Sequence, residues 1–154
     1  MKLLLQRCKQ AEVSVAGDCV GSIESGLVLF VGLANDDNLD ICRFMAEKVV
    51  NLRIFPDAKD RFQYSLLDKA FAILAIPQFT LFADARKGRR PEFFSAMPPQ
   101  LASPLFDSFI ELLKECGINN VQTGVFGAMM QVSVVNDGPV SILLDSKELT
   151  ANRV

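Results

Sequence analysis

Apolar residues change their period several times along this chain, and each change marks an element. Leu3–Leu5 and Val13–Ala16 alternate as short strands do, and Gly17-Asp18 supplies a turn before a further strand at Cys19–Ile23. Residues 27–33, LVLFVGL, are apolar at consecutive positions, so this strand is expected in the middle of a sheet covered on both sides. From Asn35 to Leu52 the period becomes helical. Ile41, Phe44, Met45, Val49 and Leu52 share one face, and Asp36, Asp37 and Asp40 load the first turn, where the helix dipole favours negative charge; the pattern predicts a helix near 37–51. Arg53–Phe55 is expected as a strand turning at Pro56-Asp57, and FAILAI, residues 71–76, as a second buried strand stopped by Pro77.

The stretch Asp84–Pro98 is polar, basic and punctuated by Gly and Pro. It predicts a long loop, and loops of this length in a compact domain are usually functional or mobile. A second amphipathic helix is expected near 100–116, opening at Pro99 or Pro104, with Leu105, Phe109, Leu112 and Leu113 inward and Gly117 as its stop. Val125–Val135 and Val140–Leu144 read as two strands joined by Asn136-Asp137-Gly138-Pro139. The expected fold is a mixed α/β single domain over residues 1–154, with mostly antiparallel strands in two packed or barrel-like sheets and two main helices on one side.

With 154 residues and 17.0 kDa, such a chain folds to roughly 7,700 Å² of accessible surface and builds a core without staples. Histidine is absent, which excludes Ser-His-Asp and Cys-His catalysis and imidazole-based metal sites. Cys8, Cys19, Cys42 and Cys116 are widely spaced with no C-x-x-C, so neither a structural zinc nor a thioredoxin-like site fits. Without a signal peptide they read as reduced thiols, and a cytoplasmic location is expected. The longest apolar runs fall short of the ~20 residues of a membrane helix. The net charge is −2, but Arg86, Lys87, Arg89 and Arg90 concentrate four of sixteen cations in five positions. That run is either a solvated loop or an anion-binding patch on an otherwise acidic body.

Two segments interrupt buried strands with unusual backbone chemistry. In AIPQFTLFAD, Pro77 ends the hydrogen-bonded run, so Gln78, Phe79 and Thr80 can offer amide and hydroxyl groups at a strand end; the alternative is a plain exit from the sheet with Phe79 in the core. In VVNDGPVS, Asp-Gly signals a hairpin, yet the following Pro139 is unusual for a tight turn. Together these segments resemble the paired SQ-x-x-L and N-x-G-P-x-T signatures of the D-aminoacyl-tRNA deacylase family, here PQFTL (77–81) and NDGPVS (136–141). The opening LLLQRCKQAEVSV, the RIF of 53–55, the ADARKGRRPEF loop and the GVFGAMMQVSVVNDGPV ending extend the resemblance over nearly the whole chain.

The resemblance implies a homodimer that hydrolyses the ester joining a D-amino acid to the 3′ end of tRNA, without metal or other cofactor. Gly138 and Pro139 would enter the partner's pocket and exclude L-residues sterically, so that glycyl-tRNA passes as a partial substrate. Backbone N–H groups around Gln78 and Phe79 would stabilise the oxyanion, assisted by the ribose 2′-hydroxyl. Thr80 carries a nucleophile's hydroxyl but no evident base. Met130 would lie in the pocket wall, and Arg7, otherwise a strand-end cation, would brace the Gly-Pro turn. Arg86, Lys87, Arg89 and Arg90 would meet acceptor-stem phosphates, and the terminal adenine of the CCA end would rest on Phe79 or Phe93 unless these are core residues.

Two positions depart from the family pattern. Pro77 replaces serine, removing a hydroxyl and a backbone donor, and Ser141 replaces threonine with the hydroxyl kept. A related branch with proline in that motif accepts small L-amino acids, so relaxed chirality toward L-alanyl-tRNA is the alternative to D-specificity. A non-catalytic module binding duplex DNA through the basic loop is the rival from another class, and a purely structural dimer a third.

Overall fold

The computed structural model describes residues 1–151; residues 152–154, the end of the expected domain, lie outside the described residues. Its framework is one strongly curled sheet. Strand β1 (Lys2–Val15) is antiparallel to β2 (Asp18–Ile23), to β3 (Gly26–Gly32) and, along nearly its full length, to β8 (Met130–Asp145). Strands β6 (Ala72–Pro77) and β7 (Val121–Thr123) extend the sheet beyond β3 in parallel, giving the order β2-β1-β3-β6-β7 with β8 on β1. The sheet curls until β2 meets β7, so closely that a Cβ on Gly21 would stand 2.9 Å from the Thr123 carbonyl. The result is barrel-like and nearly closed. Instead of a second packed sheet there is a small ribbon, β4 (Phe55–Pro56) with β5 (Phe62–Tyr64).

Alternation along the strands divides the core in two. Leu3, Leu5, Leu27, Leu29, Val31 and Ile73 face the two expected helices, α1 (Leu39–Val50) and α3 (Pro99–Glu115), which pack on each other over this side. Val28, Leu74 and Ile76 point the other way and join Cys8, Ala11, Val13 and Ile23 inside the curl. LVLFVGL is therefore buried on both faces, as its unbroken apolar run predicts. Two short helices, α2 (Leu66–Lys69) and α4 (Ser146–Ala151), complete the described residues; a capping box of Ser65 and Asp68 opens α2.

Four expectations are corrected. The expected strands at 3–5 and 13–16 are one strand, because an irregular register at Gln6, Cys8 and Gln10 carries pairing through the polar run QRCKQ. The residues Asn136-Asp137-Gly138-Pro139 are not a hairpin turn. Cys8 pairs with Asn136 and Gln6 with Ser141, so two steps along β1 face five along β8, and the surplus bulges out of one continuous strand. Residues 125–129 precede that strand, and β7 at 121–123 takes the sheet position instead. Helix α1 begins at Leu39 with Asn38 as N-cap, its side chain accepting from the Ile41 N–H at 3.0 Å. Asp37 is left before the helix, where its carboxylate receives the Met1 α-ammonium at 2.6 Å and the Ala34 N–H at 2.6 Å, both buried.

Candidate active site

Strand β6 ends where the sequence predicts a site. Pro77 is its last residue, and the chain then folds into a short 3₁₀ turn, Phe79–Phe82, lying back over β3. Gly32 permits this approach: a Cβ there would meet the Gln78 carbonyl and Leu81 Cβ at 3.1 Å. Phe79 is 58% exposed, and its ring meets Phe93 edge-on with centroids 5.1 Å apart, so neither phenylalanine is a buried core residue. The two rings stand over an apolar groove of about 320 Å³, lined also by Pro77, Met97, Phe106 and Phe126.

The donors at this groove differ in one respect from expectation. The Gln78 N–H is committed to the Val31 carbonyl at 2.8 Å, which anchors the strand end and removes that group from chemistry. The N–H groups of Phe79 and Thr80 open the 3₁₀ turn and have no acceptor among the described residues. Gln78 Nε2 donates to Thr80 Oγ1. The hydroxyl's neighbour is thus an amide NH₂, a donor that cannot accept its proton.

Far from the groove, the surplus residues of β8 form a fixed projection. Arg7 is 7% exposed; its Nε donates to the Asp137 carbonyl at 3.0 Å and lies 3.1 Å from that residue's carboxylate, while Nη1 donates to the Ile54 carbonyl at 2.6 Å. It is no ordinary strand-end cation. Gly138 has φ +124°, and its peptide bond to Pro139 is cis. Three strand spacings separate β8 from β6, and Gly138 lies further down β1 than the level of Pro77. Neither Gly138 nor Pro139 lines the groove. One chain does not bring its two motifs together. Met130 does not line the groove either; it packs on the inner cluster with Ile76, its Sδ filling the space a Cβ on Gly124 would need.

The basic run sits on the loop that delivers Phe93. Mutual backbone hydrogen bonds between Asp84 and Glu92, at 2.8 and 2.9 Å, pin its base, and Asn35 Nδ2 donates to the Phe94 carbonyl at 2.9 Å. Arg86 folds back on Asp84 through Nε and Nη2, and this hydrogen bonding holds the Asp84 carboxyl down at about 2. Lys87, Arg89 and Arg90 are exposed and unpaired among the described residues. Sequence reading missed Met97, Phe106 and Phe126. Their signals are Pro98-Pro99, which opens α3, and Gly127, whose φ of +75° turns the chain ahead of β8, and neither says where these segments meet.

Comparison with known proteins follows the same geometry. The family model described as D-Tyr-tRNA(Tyr) deacylase matches residues 4–145. A D-aminoacyl-tRNA deacylase from Thermus aquaticus is 46% identical over 153 residues, covering 99% of this chain and 100% of the relative. One from Fervidobacterium nodosum is 48% identical over 149 residues, covering 97% and 99%. Among solved structures, the "c-Myc DNA Unwinding Element Binding Protein" superposes with a TM-score of 0.89 at 37% identity, covering 94% of this chain and 98% of that one. A probable eukaryotic D-amino acid tRNA deacylase gives 0.84 at 17% identity, over 93% and 97%, a likeness of fold.

Proposed function

Because this chain belongs to the D-Tyr-tRNA(Tyr) deacylase family, we propose that it hydrolyses the ester bond of D-aminoacyl-tRNA, releasing free D-amino acid and tRNA, and that it does so as a homodimer. The observation that carries this reading is the separation of an apolar groove with unused amide donors from a rigid Gly-Pro projection that has no target in its own subunit. A two-fold pairing unites them: the turn of one subunit enters the groove of the other. Two further features support a second copy. Strand β8 pairs only with β1 among the described strands, leaving a 16-residue edge on which Val135 and Leu143 are 54% and 58% exposed. The chain also exposes 9035 Å², against the ~7,700 Å² usual for a monomer of this mass.

In the proposed site, the carbonyls at Gly138 and Pro139 crowd the α-carbon of the bound aminoacyl group and reject an L side chain by contact. Glycine has no side chain to reject, so glycyl-tRNA is also cleaved. An aminoacyl ester is already activated. Water attacks its carbonyl, the N–H groups of Phe79 and Thr80 receive the developing oxyanion, and the ribose 2′-hydroxyl assists proton transfer. Thr80 has no proton acceptor beside it, which favours direct attack by water over a covalent intermediate. The terminal adenine rests on Phe79 and Phe93, and the cations of residues 86–90 meet acceptor-stem phosphates. Translation proofreading of this kind belongs in the cytoplasm; no helix among the described residues is long and apolar enough to cross a membrane.

A second reading, binding of DNA without catalysis, is favoured by the basic loop and by the name of one structural relative. Parallel deacylation of one tRNA charged with D-tyrosine, L-tyrosine, glycine or L-alanine decides among these. Rapid loss of the D-tyrosyl and glycyl esters with L-tyrosyl spared is the expected result. Cleavage of L-alanyl-tRNA as well would mean that Pro77 in the groove wall relaxes chirality, and no cleavage by a folded dimer would favour the DNA-binding reading.

A further inference from the structure

A further cavity lies beside Asp137, between β1 and β4. Its volume is about 360 Å³, the size of one nucleotide, and Lys9, Ser25, Lys69, Phe71 and Asp137 are among its walls. Neither lysine is in an ion pair among the described residues, and the Asp137 carboxylate is already held by Arg7 at 3.1 Å, so the cavity is left with unneutralised positive charge. Beside it on β5, Tyr64 is paired with Phe55 and Phe62 with Pro56 across an irregular step, and the two rings are 38% and 55% exposed. Each ring is backed by a cation: the Arg7 Cζ lies 5.8 Å from the Phe62 centroid and the Lys69 Nζ 5.0 Å from that of Tyr64. An exposed aromatic ring beside ammonium groups, here Tyr64 next to Lys69, forms a platform for an unstacked base with an adjoining phosphate. Duplex nucleic acid has no free base face to offer such rings, so the chemistry selects a single strand.

We propose that this cavity and its aromatic rim are a binding subsite for a single-stranded nucleotide of the tRNA acceptor end, with Lys9 and Lys69 on a phosphate and Tyr64 under the base. The proposal rests on the deacylase reading for the identity of the strand. With the Gly-Pro turn of one subunit against the aminoacyl group in its partner's groove, the ribbon packed beside that turn stands next to the 3′ end there. Part of the tRNA site is then supplied in trans, on the subunit that does not hold the scissile ester.

The test uses the exposed-residue variants K9A/K69A and Tyr64→Ala, with Tyr64→Trp as the conservative control. Uncharged tRNA is titrated against each, and hydrolysis of D-tyrosyl-tRNA is compared with that of D-tyrosyl-adenosine, which lacks the upstream nucleotides. We expect Kd and KM for tRNA to rise about ten-fold in the alanine variants and to stay near wild type in Tyr64→Trp. D-tyrosyl-adenosine kinetics and the ratio of D- to L-ester cleavage stay unchanged. In K9A/K69A the slope of log affinity against log salt falls by about 0.7, the loss of one phosphate contact on a single strand. Unchanged tRNA affinity would overturn the subsite. Equal loss on both substrates, or an altered D-to-L ratio, would show that the ribbon merely supports the turn; sedimentation as a monomer would show that it is a subunit seam. A wild-type protein that cleaves neither ester would defeat the deacylase reading alone, because the uncharged-tRNA titration still decides whether the subsite exists.

Discussion

Arg7 and Asp137 stand 130 positions apart and are joined twice, the guanidinium Nε lying 3.0 Å from the Asp137 carbonyl and 3.1 Å from its carboxylate. With the bond from Nη1 to the Ile54 carbonyl, one buried side chain ties the Gly-Pro projection to both β1 and the ribbon. Arg7→Ala leaves two acceptors without their donor and is expected to cost about 2–4 kcal/mol of stability. Arg7→Lys keeps the charge but not the planar fork, so it retains more stability and still loses at least about ten-fold in the ratio of D- to L-ester cleavage. Thermal unfolding measured beside that ratio separates the two effects. Undiminished discrimination in folded Arg7→Ala would remove the turn from the specificity device.

Gly138 and Gly88 both have positive φ, +124° and +71°, but differ in surroundings. A Cβ on Gly138 would stand 2.9 Å from Val140 Cγ2 and 3.2 Å from Arg7 Nη2, whereas one on Gly88 meets nothing within 4 Å. Gly138→Ala is therefore expected to destabilise by more than about 1 kcal/mol and to admit L-tyrosyl-tRNA, while Gly88→Ala costs about 1 kcal/mol and leaves selectivity alone. Chemical denaturation with D- and L-ester assays checks both.

What could be read from the sequence follows from what alternation encodes. The double-sided burial of LVLFVGL stands in the fold as expected, and so does the burial of Met45 and Val49 on α1 and of Phe109, Leu112 and Leu113 on α3. The inward faces are nevertheless rotated toward Cys42, Ala46 and Val50 and toward Ala102, Phe106 and Ile110, leaving Ile41, Phe44, Leu52 and Leu105 partly buried at their edges. The course of β1 and β8 was not legible. Arg7 and Cys8 are both buried although consecutive residues face opposite sides, and from Cys8 to Gln10 β1 takes two steps against one on β8, which moves the inner face from Cys8 to Ala11 and Val13 and defeats a two-residue period. The groove was half legible for a similar reason. Pro77, Gln78 and Phe79 announce a strand end, but Met97, Phe106 and Phe126 join them only through the packing of α3 and the entry to β8. Asp37 likewise looks like helix dipole charge until the fold sets the Met1 α-ammonium beside it.

That pair is a stability element in its own right. The α-ammonium and Asp37 Oδ1 are 2.6 Å apart and almost wholly excluded from solvent, with Ser146 Oγ at 2.7 Å completing the ammonium's partners. Asp37→Asn keeps the shape and removes the counter-charge, leaving a buried cation unpaired. A loss of roughly 3–5 kcal/mol is expected in denaturant titration at neutral pH, with cleavage per folded molecule unchanged.

The four thiols should separate by reactivity. Burial pushes the Cys42 thiol up to about 12 and raises Cys8 and Cys116 as well, whereas Cys19 is exposed. Only thiolate reacts, so at pH 8 the native protein is expected to consume about one equivalent of a disulfide reagent quickly, at Cys19, and four after unfolding. Because the folded state favours the neutral Cys42 thiol, its stabilising contribution is complete below the ordinary thiol pKa and is lost as pH rises toward about 12. Rapid labelling of Cys42 at pH 8 would mean that α1 opens readily.

The basic loop divides by the same kind of argument. Arg86 is clamped by Asp84, whose carboxyl is held at about 2 by that contact, so the clamp persists at every pH above this and is released only as pH falls through it. A phosphate must compete with Asp84 for Arg86, but meets Lys87, Arg89 and Arg90 without a rival. Arg89→Ala and Arg90→Ala are thus each expected to weaken tRNA binding several-fold and to lower the salt slope by about 0.7–0.9, the value for one phosphate contact. Arg86→Ala changes both less, and Asp84→Asn, which frees Arg86, strengthens binding at low salt. Titration of tRNA at two salt concentrations reads all four variants. Equal losses for Arg86, Arg89 and Arg90 would mean that the clamp opens on binding and that the whole run acts as one phosphate-binding patch.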